Sequence, residues 1–394
     1  MSNKVGLVMA YKGSNYGAQL QAYATQHVIE SFGFETSIID YKRKVFSLSS
    51  IVFGPGILNY FILSRKERRI RQKTRVEIKN DTYLNNKKER KKQLESFIQR
   101  RLHNIVKYNS YKKLERDALA FTASLIGSDQ KWLPGACYDR INRLQFAGSN
   151  CRRISYATSL GVSAYPSYCR KMSKKMWEGI DFLSVRENTG ANIIKSVCGK
   201  DINVDVVVDP TYLITREEWN KLIPIEKKIQ GEYVLCYFLG NDEKSKICAR
   251  RFCDAKGLKL VSIMSDESFS DIDISYADQL ITGASPEDFM NLIRGASFVF
   301  TDSFHGVAFS VINNRQFYIF YRKRADAKQS RNSRIDDILK LWRVEDRLIV
   351  DEDRDWNMDE TEGVINYEKV NHLLAQERER SLKFLKKALY DAND

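Results

Sequence analysis

The chain has no run of about 18 apolar residues, so no segment reads as a membrane-spanning helix. Its start, MSNKVGLVMAYKG, has one short apolar stretch, Val5–Ala10, and no small-residue cleavage site. That pattern is a first strand and not a signal peptide. The seven cysteines stand at irregular spacing, with no CxxC pair and no Cys/His cluster of zinc spacing. A cytosolic protein with reduced, mostly buried thiols is expected, with no metal and no organic cofactor. The first glycine-rich turn is not GxGxxG, so a dinucleotide fingerprint is missing. No internal repeat or low-complexity tract competes with an ordinary globular reading.

What is present is enough for two cores. At 394 residues, 43% of them hydrophobic, with 20 Phe and 20 Tyr, the chain exceeds one ordinary domain of ~100–200 residues. The net charge is +14, and it is concentrated. Residues 60–116 carry 19 Lys/Arg against six Asp/Glu, a net of +13. Within them Lys87–Lys92 (KKERKK) is either a solvated helix face or an electrostatic footing on anionic lipid or on a diphosphate-bearing acceptor. Nucleic acid is not the expected partner, because no reader motif accompanies the charge.

Taken in order, the chain alternates strand and helix. Lys4–Ala10 is a strand, Asn15–Gly17 a turn, Ala18–Phe32 a helix ended by Gly33, and Glu35–Tyr41 a second strand. Gly13 and Gly17 could cradle an anion at the helix start, whereas His27 reads as a packed or half-buried mid-helix residue. Phe46–Leu58 reads as a loop. Residues 60–116 read as mostly helical, with Leu94, Phe97, Ile98, Leu102 and Ile105 at helical spacing. Strands follow at Ala118–Ile126, Arg153–Ser159, Asp181–Arg186 and Val204–Val208. Each ends in polar residues, and ligands of doubly wound folds bind outside the carboxyl ends of strands. Asp129 and Arg186 would share that rim. A charged break at Thr215–Gln230 precedes a second alternation, with strands at Tyr233–Leu239, Leu258–Met264, Ser297–Thr301 and Gln316–Tyr321. The expected organisation is an N-terminal Rossmann-like domain over 1–215 with a basic helical insertion at 60–116. A C-terminal Rossmann-like domain follows over 230–350, then a helix over 365–391 that packs back.

The stretch Phe298–Ser310, FVFTDSFHGVAFS, organises the second half. It runs from an apolar strand through a turn into a helix, and the turn carries His305, one of four histidines. Titratable groups at such crevice edges are enriched for function, although many turn histidines are merely solvated.

Five stretches together, in order and spacing, resemble the polysaccharide pyruvyl transferase family. They are NYGAQLQAY (Asn15–Tyr23) with IIDYK, IGSDQKW (Ile126–Trp132), SYATSLG (Ser155–Gly161), VRE (Val185–Glu187) with DPTYL, and TDSFHGVAFS (Thr301–Ser310). The resemblance implies a GT-B-like fold, two Rossmann-like domains facing across a cleft. It implies transfer of pyruvate from phosphoenolpyruvate to a sugar, often as a cyclic ketal on two hydroxyls. By the same resemblance His305 and Asp129 are the catalytic candidates, and Arg186, Ser303, Gly306 and Lys323 are candidates for holding phosphoenolpyruvate. Ser303 stands where some relatives carry arginine. Asn15, Tyr16, Gly17, Ser128, Gln130 and Ser159 are candidates for the acceptor side of the cleft.

The chemistry fits those residue types. Phosphoenolpyruvate is a small polyanion, and Arg186 can bind carboxylate or phosphate through paired hydrogen bonds. Amides at the helix start near Gly306 suit phosphate oxygens. His305 is the candidate general acid for phosphate departure, and Asp129 the candidate for deprotonating a hydroxyl. The expected acceptor is a lipid-linked saccharide of a surface polysaccharide, with peripheral association at an anionic inner-membrane face through 60–116. Two other classes stay open: a GT-B-type glycosyltransferase using a nucleotide sugar, and a non-catalytic membrane-surface scaffold.

Overall fold

The computed structural model describes residues 3–42, 80–322, 332–350, 352–353 and 363–390. Seven strands form a first sheet: β1 (Lys4–Val8), β2 (Glu35–Tyr41), β3 (Ile105–Tyr108), β4 (Ala123–Gly127), β5 (Arg152–Thr158), β6 (Phe182–Val185) and β7 (Asp205–Val206). Their order is β3-β2-β1-β4-β5-β6-β7, and every pairing is parallel. Six strands form a second sheet: β8 (Tyr233–Tyr237), β9 (Lys259–Ile263), β10 (Gln279–Ile281), β11 (Phe298–Thr301), β12 (Gln316–Phe320) and β13 (Leu348–Ile349). Their order is β10-β9-β8-β11-β12-β13, again all parallel. The helices that matter below are α1 (Tyr16–Ser31), α2 (Asp81–Arg101), α3 (Pro286–Gly295), α4 (Phe304–Ile312), α5 (Ser333–Trp342) and α6 (Tyr367–Tyr390).

Each sheet reverses its strand order once. In the first the reversal falls between β1 and β4, in the second between β8 and β11. A crevice opens at such a switch point, outside the carboxyl ends of the strands. β1 leads to α1, β4 ends in Ser128-Asp129, and β11 leads into His305, so both crevices carry candidate residues. One apolar cluster runs through both sheets, from Leu7 and Leu20 to Phe289, Phe309 and Ile319. Between the sheets Tyr16 stacks on Phe289 at 5.1 Å and Trp219 meets Phe309 edge-on at 5.7 Å. Helix α6 returns to the first sheet. Ser381 Oγ accepts the Val208 N–H at 3.0 Å, Arg378 Nε donates to the Tyr212 carbonyl at 2.7 Å, and Tyr390 packs on Phe34.

Several local expectations shift. Helix α1 starts at Tyr16, because Asn15 Oδ1 accepts the Gly17 N–H at 2.9 Å and caps it two residues early. Ile105 does not extend the helical stripe of α2. Leu102 is already extended, and Ile105 opens β3 opposite Ile38. Residues Ala118–Ala120 form a 3-10 turn before β4, and only Asp205–Val206 of Val204–Val208 pairs as a strand. The charged break holds a short helix, Arg216–Leu222, whose N-cap Thr215 accepts the Glu218 N–H. Strands β10 and β13, of three and two residues, are too short to leave a periodic pattern. Residues 46–58 and 60–79 lie outside the described residues.

The basic run divides by face. Lys87, Lys88, Lys91 and Lys92 are exposed, whereas Arg90 is 1% exposed. Its guanidinium lies over the Tyr16 ring at 4.0 Å and donates to the Ser14 carbonyl at 2.8 Å and the Met264 carbonyl at 3.0 Å. Asp266 stands 3.6 Å away. Asn86 adds a bond to Ser265 O and one from Gly283 N–H, and Arg100 pairs with Glu287 at 3.1 Å. Helix α2 therefore straps one sheet's loops to the other's. Removing one partner of a buried charge pair leaves the other unpaired, at about 3 kcal/mol or more. Arg90→Ala is expected to cost roughly that much by chemical denaturation, and Lys88→Ala, on the exposed face, less than about 0.5 kcal/mol.

Candidate active site

Strand ends of the first sheet place one arginine among three carboxylates. Arg186, just past β6, has a side chain 2% exposed. Its Nη1 donates to Asp209 Oδ2 at 2.7 Å, Nε lies 3.4 Å from Glu187 Oε1, and Nη2 lies 3.5 Å from Asp129 Oδ1. The guanidinium rests on the Phe304 ring at 4.0 Å. Neighbours fix the carboxylates in turn. Asp209 Oδ2 accepts from Ser128 Oγ at 2.9 Å, and its Oδ1 accepts both the N–H and hydroxyl of Thr211. Ser159 donates to Glu187 Oε1. Asp129 holds a left-handed backbone, φ 57°. Such strained positions cluster at functional sites.

The second sheet contributes His305, in the first turn of α4 and 3% exposed. Its Nε2 stands 3.8 Å from Asp209 Oδ2, beyond hydrogen-bond length, and has no hydrogen-bond partner among the described residues. The ring packs against helix α1 from the other domain. A Cβ added at Gly17 would lie 2.0 Å from His305 Cγ, so only glycine fits there. Gly306 is required for a similar reason, since its Cβ would meet Thr301 Oγ1 at 2.4 Å. Asp302 accepts the N–H groups of Leu239 and Gly240 at 2.8 and 2.7 Å, and holds Arg322 at 3.5 Å.

Electrostatics follow from burial and these partners. Burial alone would raise Asp209, but His305 and Arg186 outweigh it and hold its carboxyl well below the usual range. Asp129 is also lowered: burial again opposes, and Arg186, His305 and Arg334 prevail. Glu187 goes the other way. Burial pushes it up more than Arg186 and Ser159 pull it down. Arg334, on α5, is lowered to about 10 by burial and by the like charge of Arg186. Arg186 and Arg334 line a cavity of about 20 Å³ with Glu187, Asp209 and Phe304.

The structure thus brings together His305, Asp129, Arg186 and Ser128, with Ser159 attached through Glu187 and Gly17 against the histidine ring. Asn15 is a helix cap, and Tyr16 is buried under Arg90. Gln130 lies beside Gly161. Ser303 is buried at 1%, its N–H donating to Thr301 Oγ1. Lys323 lies outside the described residues. His27 is half-buried, as expected, against Glu218 at 2.9 Å. The sequence reading missed Asp209, Glu187 and Arg334. Asp209 and Glu187 stood inside the quoted DPTYL and VRE stretches, at strand ends like Asp129. No local signal marked Arg334. Among the described residues no group of His, Cys, Asp and Glu has the arrangement of a metal site.

Asp209 gives a pH test. Its folded-state pKa lies below the unfolded value of about 3.9, so its stabilising contribution is complete above that value. The contribution is lost as pH falls through the folded pKa. The stability gap between wild type and Asp209→Asn, read by denaturant titration, is therefore expected to be widest near pH 6 and to narrow towards pH 3. Gly17→Ala, which drives a methyl group into the His305 ring, is expected to destabilise by about 1–3 kcal/mol in the same assay.

A family profile described as polysaccharide pyruvyl transferase matches residues 15–324. No curated protein matches the sequence. Solved structures match over nearly the whole chain at low identity. The S. aureus MnaA–UDP co-structure has a TM-score of 0.51 at 12% identity, covering 100% of this chain and 98% of its own. UGT89C1 of Arabidopsis thaliana, complexed with UDP-L-rhamnose, has a TM-score of 0.51 at 10% identity, covering 98% of each chain. A putative UDP-N-acetylglucosamine 2-epimerase from Listeria monocytogenes has a TM-score of 0.50 at 10% identity, covering 100% of this chain and 98% of its own. These likenesses establish the two-domain GT-B-like fold. The profile spans the sequence from the cap of α1 through α4, where His305 sits, and the chain belongs to the polysaccharide pyruvyl transferase family.

Proposed function

We propose that the protein transfers a pyruvyl group from phosphoenolpyruvate to two hydroxyls of a sugar as a ketal. The observation that carries this is His305 of the second domain, whose Nε2 has no hydrogen-bond partner among the described residues and stands 3.8 Å from Asp209 in the Arg186 cluster of the first. The donor is anionic at both ends. Arg186 and Arg334 supply fixed positive charge from opposite domains, and Glu187, raised by burial, is the carboxyl readiest to shed its opposing charge. The amino end of α4 adds amide dipoles of the same sign.

In the reaction, the enol carbon takes a proton and the adjacent carbon becomes oxocarbenium-like. A sugar hydroxyl adds there and loses its proton, and Asp129 is the carboxylate proposed to take or relay it. The carbon–oxygen bond to phosphate then breaks. His305 donates the proton that lets inorganic phosphate leave. A second hydroxyl closes the ketal and releases the last proton. The acceptor is proposed to be lipid-linked, with the protein cytoplasmic at an anionic membrane face. The exposed lysines 87, 88, 91 and 92 support that placement, each worth ~1 kcal/mol near such a surface. Among the described residues no helix is long and apolar enough to cross a membrane.

Calorimetry with phosphoenolpyruvate tests the donor. Saturable binding is expected, weakened roughly tenfold or more by Arg186→Lys, which keeps the charge and loses the paired bonds. His305→Asn is expected to bind the donor yet slow turnover by roughly 100- to 10,000-fold. No binding of phosphoenolpyruvate, with UDP binding in its place, would sink the proposal in favour of nucleotide-sugar chemistry.

A further inference from the structure

Away from His305, a cavity of about 770 Å³ opens between helix α2 and the carboxyl ends of β1 to β3. That volume is in the range of a built ligand site. One wall is apolar: Leu94 and Ile98 on α2, then Leu102 just past its end, lead into Ile105 of β3. Ammonium groups line it too: Lys87 and Lys91 on α2, Lys12 after β1 and Lys107 on β3. Lys12 is taken by Asp40 at 2.5 Å, and Lys91 has Glu95 at 3.9 Å. Lys87 and Lys107 have no carboxylate partner among the described residues. Asp266 also lines the cavity; its Oδ1 lies 3.6 Å from Arg90 and has no hydrogen-bond partner among the described residues.

Gln19 also lines this cavity. It is 1% exposed, and neither its amide nitrogen nor its carbonyl oxygen has a hydrogen-bond partner among the described residues. A buried amide left unsatisfied at both ends is costly to the fold and calls for an explanation outside it. A ligand with polar oxygens beside Gln19 supplies one. Among the described residues the cavity thus combines a hydrocarbon wall, two cations without a carboxylate partner and an amide without a hydrogen bond.

We propose that this cavity binds a phosphate ester with a hydrocarbon chain, the chain along Leu94–Ile105 and the phosphate at Lys87 and Lys107. Ser14 lines the cavity, and Gly17, three residues on, touches the His305 ring. A saccharide carried on that phosphate would be one loop away from the catalytic side. The link to the acceptor rests on the pyruvyl-transfer function, but the phosphate–lipid site does not.

The test is calorimetry of the whole chain with dodecyl phosphate, dodecyl maltoside and inorganic phosphate, all below micelle-forming concentrations. Dodecyl phosphate is expected to bind saturably at one per chain, at least about tenfold tighter than either control. The Lys87→Ala/Lys107→Ala variant and the cavity-filling Ile98→Trp are each expected to weaken it about tenfold or more, while Lys88→Ala/Lys92→Ala is not. Gln19→Leu is expected to raise the melting temperature while lowering affinity, a combination that a purely structural role would not produce. Equal binding of dodecyl maltoside, or of inorganic phosphate, would overturn the site. So would equal loss on removing Lys88 and Lys92, which marks a surface patch instead of a cavity. Phosphoenolpyruvate titrated into the same samples keeps the two proposals apart: donor binding without dodecyl phosphate binding removes only this one, and the reverse removes only the donor assignment.

Discussion

Everything at the cleft depends on burying the Arg186 guanidinium at the end of β6. A buried cation is tolerable only when paired and hydrogen-bonded. Three separate strand ends supply the partners, through Asp129, Glu187 and Asp209; the hydroxyls of Ser128 and Thr211 hold Asp209 in turn, and that of Ser159 holds Glu187. The first sheet's rim is therefore one connected polar network. In it the same type of group meets different surroundings and is pushed in different directions. Asp209 and Asp129 are lowered by cationic neighbours, and Glu187 is raised by burial. Separating the pKa values of like groups is how one site holds both acids and bases.

The second domain is positioned on that network by shape more than by charge. The His305 ring fits against α1 only because residue 17 lacks a side chain. The apolar cluster continues through Tyr16, Phe289 and Phe309, so the domains share a core. Helix α2 then ties the far side through Arg90, whose hydrogen bonds reach Ser14 in one domain and Met264 in the other. A basic segment that looks like a surface charge run is thus half strap and half exposed lysine face. The same helix contributes to the apolar wall of the large cavity.

The two-domain α/β organisation was legible in the chain because parallel strands flanked by helices leave strong alternating signals, and their polar ends announce a rim. The motif around His305 and the VRE and GSDQ turns were legible for the same reason. They interrupt apolar strands with residues that strands do not want. The start of α1, the short edge strands and the fate of Ile105 were not, because caps and pairing partners decide them, and those lie elsewhere in the chain.

What the sequence by itself determined is the inventory: two parallel sheets, a histidine on a strand-to-helix turn, an arginine and aspartates at strand ends, and an uneven basic charge. The tertiary structure alone decided which of these meet. Asp209 lies 23 positions from Arg186 and 96 from His305, yet one of its oxygens faces both. Arg334 reaches the cluster from a helix beyond the second sheet's core, and Arg90 leaves its charged run to lie buried on Tyr16. Such meetings depend on strand order and on crossovers between domains. A local pattern of residues carries neither, because proximity across a fold is set by how sheets close and not by spacing along the chain.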